Sequence, residues 1–189
     1  MMKLDSNDAP KTAAMPAAST DPAKPGTTIT LRGARASDLH AINNLIASAI
    51  ATWQLADRVK RISLPLYRYH DDDLRDMQLV VAHSGDDEFL GVAALERAYA
   101  TDIFDGLETS VLHGIYVAPL RHRNGVGSRL LEAIENMARA QGTEALLVKA
   151  RPEAISFFNA RGFEKLTPGD RNRDYPYQFY KILSNFDPA

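Results

Sequence analysis

The chain has 189 residues, a net charge of −2, 45% hydrophobic residues and 0 Cys. That length supports one domain with a sizeable core, and near-neutral charge argues against a partner such as nucleic acid. Without Cys there is no disulfide framework, no thiolate zinc site and no acyl-cysteine intermediate; no apolar run approaches the roughly 20 residues that span a bilayer, and no apolar signal core is seen, so no membrane partner and a cytoplasmic location are expected.

Residues 1–26 are rich in Ala, Pro, Ser, Thr, Asp and Lys with no apolar period, and read as a disordered tail ahead of a single domain over 27–189. Thr28–Arg32 predicts a first strand. Ser37 is placed to cap a helix in which Leu39, Ile42, Leu45, Ile46, Ala49 and Ile50 recur at helical spacing. Val59–Tyr69 reads as an irregular helix broken at Pro65. Met77–His83 and Phe89–Ala98 bracket Ser84-Gly85-Asp86-Asp87 and predict a hairpin. In the next strand, Val111–Val117, Gly114 marks a bulge or a close backbone approach. The following helix gathers Val126, Leu130, Leu131, Ile134, Met137 and Ala138 on one stripe, pairs Glu135 with Arg139 on its outer face and ends at Gly142. Ala145–Ala150 is a buried-type strand, Pro152 opens a short helix capped by Gly162, and Gly162–Leu166 and Tyr177–Leu183 are final strands. The elements mix as α+β, with no internal repeat.

The most informative run is Val117 to Leu131: strand, basic glycine loop, helix. Glycine lets backbone N–H groups approach a ligand, and a helix start presents unpaired donors and a partial positive charge. Together they suit a phosphate group. Spacing excludes two common loops, because Leu130 stands where a dinucleotide fingerprint needs its third glycine and Leu130-Leu131 where a P-loop needs Gly-Lys. The remaining cluster of Arg121, His122, Arg123, Gly125, Gly127, Ser128 and Arg129 is either a ligand loop or a helix start with solvated arginines.

The stretch Leu112-His-Gly-Ile-Tyr-Val-Ala-Pro119 with its basic Gly-x-Gly loop and amphipathic helix resembles motif A of the GNAT superfamily of N-acetyltransferases. About thirty residues on, Ala154-Ile-Ser-Phe-Phe-Asn-Ala-Arg-Gly-Phe163 resembles that family's motif B. The resemblance covers roughly Ile29 to Leu183. It implies an α+β GNAT fold, a mixed and mostly antiparallel central sheet flanked by helices. It also implies acetyl-CoA as co-substrate and acetyl transfer to a primary amine, carried by a small molecule or a protein. By the match, the loop residues His122, Arg123, Asn124, Gly125, Val126, Gly127 and Ser128 grip the pyrophosphate, Val117 bonds the pantetheine arm, the Ile115 N–H polarises the thioester carbonyl, and Phe158 completes the cofactor site. Homodimers occur in that family; no stripe in this chain identifies an interface.

An alkyl amine is almost wholly protonated at neutral pH and only its neutral form attacks a carbonyl, so a base is needed. The attack also needs a donor for the oxyanion, whereas a thiolate leaves with little acid help. His113 is the first candidate base, expected by strand alternation to share a face with Val111, Ile115 and Val117. Some arylalkylamine acetyltransferases of the superfamily carry a His at the matching place, others a Glu where this chain has Val111. The same residue also fits a strand histidine hydrogen-bonded in the core. Glu96 and Glu108 are alternative bases, with Glu96 expected to face solvent.

Three departures from the pattern stand out: His122 replaces an Arg or Gln, Arg151 an Asn, and Phe158 the Tyr that often serves as general acid. Tyr116, Tyr175 or Tyr177 could replace that acid; a non-catalytic acyl-CoA-binding module of the same fold is the alternative function. The resemblance maps the amine site to Trp53, Tyr67, Tyr69 and Asp170–Tyr177; the run Asp71-Asp72-Asp73 is a cation lure or a solvated turn.

Overall fold

The computed structural model describes residues 28–85, 88–98, 104–167 and 175–183, so the 1–26 tail lies outside them. Its strands are β1 (Thr30–Gly33), β2 (Gln78–His83), β3 (Phe89–Arg97), β4 (Thr109–Val117), β5 (Ala145–Lys149), β6 (Glu164–Lys165) and β7 (Gln178–Ile182). They form one sheet in the order β1-β2-β3-β4-β5-β7-β6. Among the described strands β4 and β5 alone run parallel. The helices are α1 (Leu39–Ala51), α2 (Asp57–Ser63), α3 (Asp73–Asp76), α4 (Val126–Ala140) and α5 (Ile155–Asn159). This is the α+β layout expected from the sequence.

Helices cover both faces of the sheet, which is why Leu79–Ala82 and Leu90–Leu95 are continuously apolar rather than alternating. On one face Leu130, Ile134 and Ala138 of α4 pack with Ala93, Leu95, Leu112, Leu146 and Phe179. On the other, Ile42, Ile46 and Ile50 of α1 pack with Val81, Val92, Ala94 and Tyr116. Truncating one of these fully buried side chains to Ala costs about 2–5 kcal/mol.

Two local expectations change. Ser37 lies inside a 3-10 turn, Ala36–Asp38, and the start of α1 is fixed by Asp38 instead. The Asp38 carboxylate accepts the Arg35 N–H at 2.8 Å and the Arg32 guanidinium at 2.6 and 3.1 Å. The Arg32 hydrogen bond holds its carboxyl below the usual carboxylate range. Glu135 does pair with Arg139, at 3.3 Å, but on a partly buried face: it also accepts Lys181 Nζ at 2.6 Å, tying α4 to β7.

Candidate active site

β4 and β5 pair from Thr109↔Ala145 to Leu112↔Val148 and no further. β5 ends at Lys149, and the Ala150 N–H turns to the Tyr177 carbonyl, 2.9 Å away. β4 continues to Val117, still paired with β3 on its other edge. The Ala118 N–H donates to the Leu90 carbonyl at 2.9 Å. By the two-residue alternation of an antiparallel ladder, Ile115 and Val117 therefore turn their N–H and C=O groups to the edge that β5 has left. A slot lined by main-chain donors and acceptors opens there.

At the end of that edge the chain forms a short turn over Pro119–Arg121 and enters α4 through Gly125. Arg123 and Gly125 both have left-handed backbones, at φ 61 and 81. That geometry is why a glycine stands at the helix cap. No side chain caps α4 and no acidic residue lies in its first turn, so the N–H groups of Val126, Gly127 and Ser128 have no intrahelical acceptor. Arg161, from the turn after α5, donates to Ser128 Oγ and lies 5.4 Å from the Phe157 ring. Arg123, Asn124 and Arg129 are exposed around the same turn. The set fits a diphosphate: open amides, a positive helix end and a cationic rim.

Two loop residues do other work. Arg121 turns back to Glu88 at 2.5 Å, on the far side of the loop. His122 Nε2 lies 3.1 Å from the Val117 carbonyl and donates to it, bracing the mouth of the slot. Phe158 is 4% exposed and packs edge-on against Phe157 and Phe163 in the α4-side core. Its neighbour Phe157 is the ring nearest the loop, 3.5 Å from where a Gly127 Cβ would stand.

The bulge signalled by Gly114 is present: Ala94 pairs with Gly114 and Leu95 with Leu112, which leaves His113 as the extra residue. The bulge overturns the expected face. Leu112, Ile115 and Val117 all lie toward α4, whereas His113 lies on the α1 side. There its Nε2 is 2.5 Å from Glu96 Oε2. Glu96 is not solvated as expected; its side chain is 12% exposed, and that of His113 is 34% exposed. A carboxylate can only accept, so the imidazole donates through Nε2, an arrangement that in the neutral ring leaves the lone pair on Nδ1. Glu108 is paired with Arg97 at 2.8 Å on the exposed rim, away from this group.

Tyr116, also on the α1 side, explains the glycine beside His113. A Cβ on Gly114 would stand 2.9 Å from its Cε2 and 3.2 Å from its hydroxyl. Burial raises the Tyr116 phenol well above its usual value, so it stays protonated. Next to it stand Tyr67, at 6.5 Å between ring centroids, and Trp53, 5.2 Å from Tyr67. Asn43 holds this segment to α1 by bonding the Tyr69 backbone at both ends, 2.8 and 2.9 Å. Tyr69 itself is buried. Tyr175 donates to the Ala150 carbonyl at 2.9 Å, and Asp170–Asp174 lie outside the described residues. The run Asp71–Asp73 is the solvated turn: Asp72 pairs with Arg75, and Asp73 accepts the His70 N–H at 2.6 Å.

A family model for the acetyltransferase (GNAT) domain matches residues 58–183. The chain belongs to the GNAT acetyltransferase family. An aminoglycoside N(6')-acetyltransferase type 1 from Klebsiella aerogenes is 39% identical over 69 residues, 36% of this chain and 45% of that protein, so the match spans less than half of that relative. The PaiA N-acetyltransferase from Thermoplasma acidophilum, solved in complex with coenzyme A, superposes with a TM-score of 0.66 at 15% identity, over 82% of this chain and 99% of that one. A GNAT family acetyltransferase from Brucella melitensis, solved in complex with acetyl-CoA, gives 0.60 at 16% identity over 84% and 90%. At these identities the structural likeness is one of fold.

Within this GNAT fold, the partners of three contributors are not legible in the sequence. Glu96 is an alternative base in the sequence but is expected there to face solvent; the register shift at His113 brings the two side chains together. Arg161 sits 33 residues from Ser128, a separation that no local pattern reveals. Arg151 was noted as a departure, but its contact with Trp53 depends on how α1 meets the end of β5. No described helix is long and apolar enough to cross a membrane.

Proposed function

We propose that this GNAT chain moves an acetyl group from acetyl-CoA to a primary amine, by direct attack with both substrates bound. The observation that carries the reading is a continuous edge of β4: the His113–Glu96 pair, then the outward main chain of Ile115 and Val117, then the open amides at the start of α4. When bound, acetyl-CoA supplies an activated carbonyl and a thiolate leaving group.

The chain's residues divide the remaining work. Val126, Gly127 and Ser128 amides, with Gly125 allowing the approach and Arg123, Asn124 and Arg161 at the rim, hold the pyrophosphate. The Val117 carbonyl has two lone pairs, so it can accept from a pantetheine amide while still accepting from His122. The Ile115 N–H, on the edge that β5 has left, would donate to the oxyanion as it forms. His113 Nδ1 takes the proton of the attacking amine, and Glu96 steadies the imidazolium that results. Phe158 serves the cofactor site from behind, by packing the α5 turn that carries Phe157 and Arg161. Tyr116 stands beside Gly114, but the burial that keeps its phenol protonated also makes it a poor proton donor, so the thiolate leaves unaided. Tyr175 is committed to the Ala150 carbonyl.

A non-catalytic module has less support, because the ordered His113–Glu96 pair has no role in cofactor binding alone. Thiol release from acetyl-CoA with a panel of amines tests the proposal. Catalysis that requires His113 supports it; coenzyme A binding without turnover of any amine points to the module instead. The same reading places the protein in the cytoplasm, where acetyl-CoA is available, with no nucleic-acid or membrane partner.

A further inference from the structure

Arg151 is a partly buried charge with no part in the transfer proposed above. It follows β5 by two residues, at the turn where the chain leaves β4. Its guanidinium carbon stands 4.1 Å from the Trp53 ring centroid, a cation–π contact. Its side chain is 24% exposed, and its Nε is buried without a hydrogen bond. Among the described residues its acidic neighbour is Glu153, whose two carboxylate oxygens stand 3.4 Å from Nε and 3.5 Å from Nη2 and whose side chain is 44% exposed. The positive charge is felt at the hydroxyls of both Tyr116 and Tyr175. The guanidinium therefore sits among Trp53, Tyr116 and Tyr175, on the sheet face that also carries His113.

A cation close over an indole, held to its acidic partner only by long contacts and with its Nε buried without a hydrogen bond, is prepared for a planar anion. We infer that Arg151 binds a carboxylate of the acceptor, so that the acceptor is a small amino acid-like molecule carrying an amine and a carboxylate. This rests on the acetyl transfer proposed above. A polycationic amine has no carboxylate for this guanidinium and brings further positive charge up to Arg151. The carboxylate would complete the two-sided contact that Glu153 makes poorly, and would orient the amine toward the imidazole.

The test compares methionine and phenylalanine with their carboxamides, alongside spermidine and kanamycin, in the thiol-release assay with the full chain. The amide's amine is the less basic and so more of it is neutral at pH 7, which means that intrinsic chemistry favours the amide. A kcat/KM at least tenfold higher for the acids must then come from the protein. Arg151→Gln should shrink the acid-to-amide ratio at least tenfold, and Arg151→Lys should restore part of it; ratios within one variant cancel any general loss of folded enzyme. Equal ratios in wild type and Arg151→Gln, or kanamycin or spermidine as the best acceptor, would overturn the inference. If no amine is acetylated, calorimetry with methionine in the presence of coenzyme A separates the two proposals. Binding lost in Arg151→Gln supports the carboxylate site while the transfer reading fails; absence of binding in the wild type overturns the site as well.

Discussion

Removing the partner of the base should be graded by what replaces it. Glu96 accepts from His113 Nε2 at 2.5 Å with its side chain 12% exposed, so solvent does not readily stand in. A hydrogen bond to a charged group contributes about 1.5–3 kcal/mol. In Glu96→Gln the amide oxygen still accepts, in a neutral bond roughly half as strong. The expected loss is about 1 kcal/mol in the transition state, or roughly fivefold in kcat/KM. Glu96→Ala loses the whole bond and should fall by about 10- to 150-fold. His113→Ala removes the base itself and should fall by about 10²–10⁴. Because the two act as a unit, Glu96→Ala added to His113→Ala should cost less than about a further twofold. Initial rates of thiol release give these ratios; coenzyme A calorimetry and thermal melts on each variant separate catalysis from binding and folding. Losses that multiply in the double variant, or a Glu96→Ala enzyme as fast as wild type, would refute a coupled base.

Three further outcomes follow from local geometry. Gly125 has φ 81, so Gly125→Val carries about 1–2 kcal/mol of backbone strain and sets a branched side chain at the loop mouth; coenzyme A affinity should fall at least tenfold by calorimetry, with the far-UV spectrum retained. Gly114→Ala would place a Cβ 2.9 Å from the Tyr116 ring, and the displaced ring should lower stability by about 1–3 kcal/mol in urea titration and slow turnover. The Arg32 clamp lowers the Asp38 carboxyl below its unfolded value. Its stabilisation is therefore present above the unfolded pKa of about 3.9 and is lost as pH falls through the lower, folded one. Asp38→Asn should lower the urea midpoint at pH 7 and flatten its decline in acid.

The large periodic segments were readable because both covered faces leave a mark: β2, β3 and β5 as apolar runs, α4 as a stripe of Val126, Leu130, Leu131 and Ile134. The glycine loop was readable because backbone geometry restricts residue type at Gly125. Side-chain destinations were harder. His113 was placed on the wrong face because a two-residue period assumes an unbroken ladder, and Gly114 signalled the break without giving its effect on register. Arg121 and Arg123 look equivalent in sequence, yet one reaches Glu88 across the β2–β3 turn and the other stays exposed at the loop. Phe158 and Phe157 are adjacent, and only the direction of α5 decides which ring enters the core.

The bulge also accounts for where the slot begins. His113 and Gly114 together oppose Ala94, and this is where β4 stops pairing with β5, after Leu112↔Val148. An extra residue on one strand bends it and increases its twist, so β4 turns away from a straight neighbour at that point. The opening that exposes Ile115 and Val117 is then a consequence of strand length, not of any side chain in the slot. Deleting Gly114 tests this directly. Alternation is preserved on both sides of the deletion, so Leu112, Ile115 and Val117 keep the α4 side and His113 the α1 side. The repaired ladder lets β5 pair beyond Leu112 and occupy the edge that a pantetheine arm would use. The shortened chain should remain folded and lose coenzyme A binding in calorimetry, while the loop at Gly125 is untouched. Binding at wild-type affinity would show that the strands part for another reason.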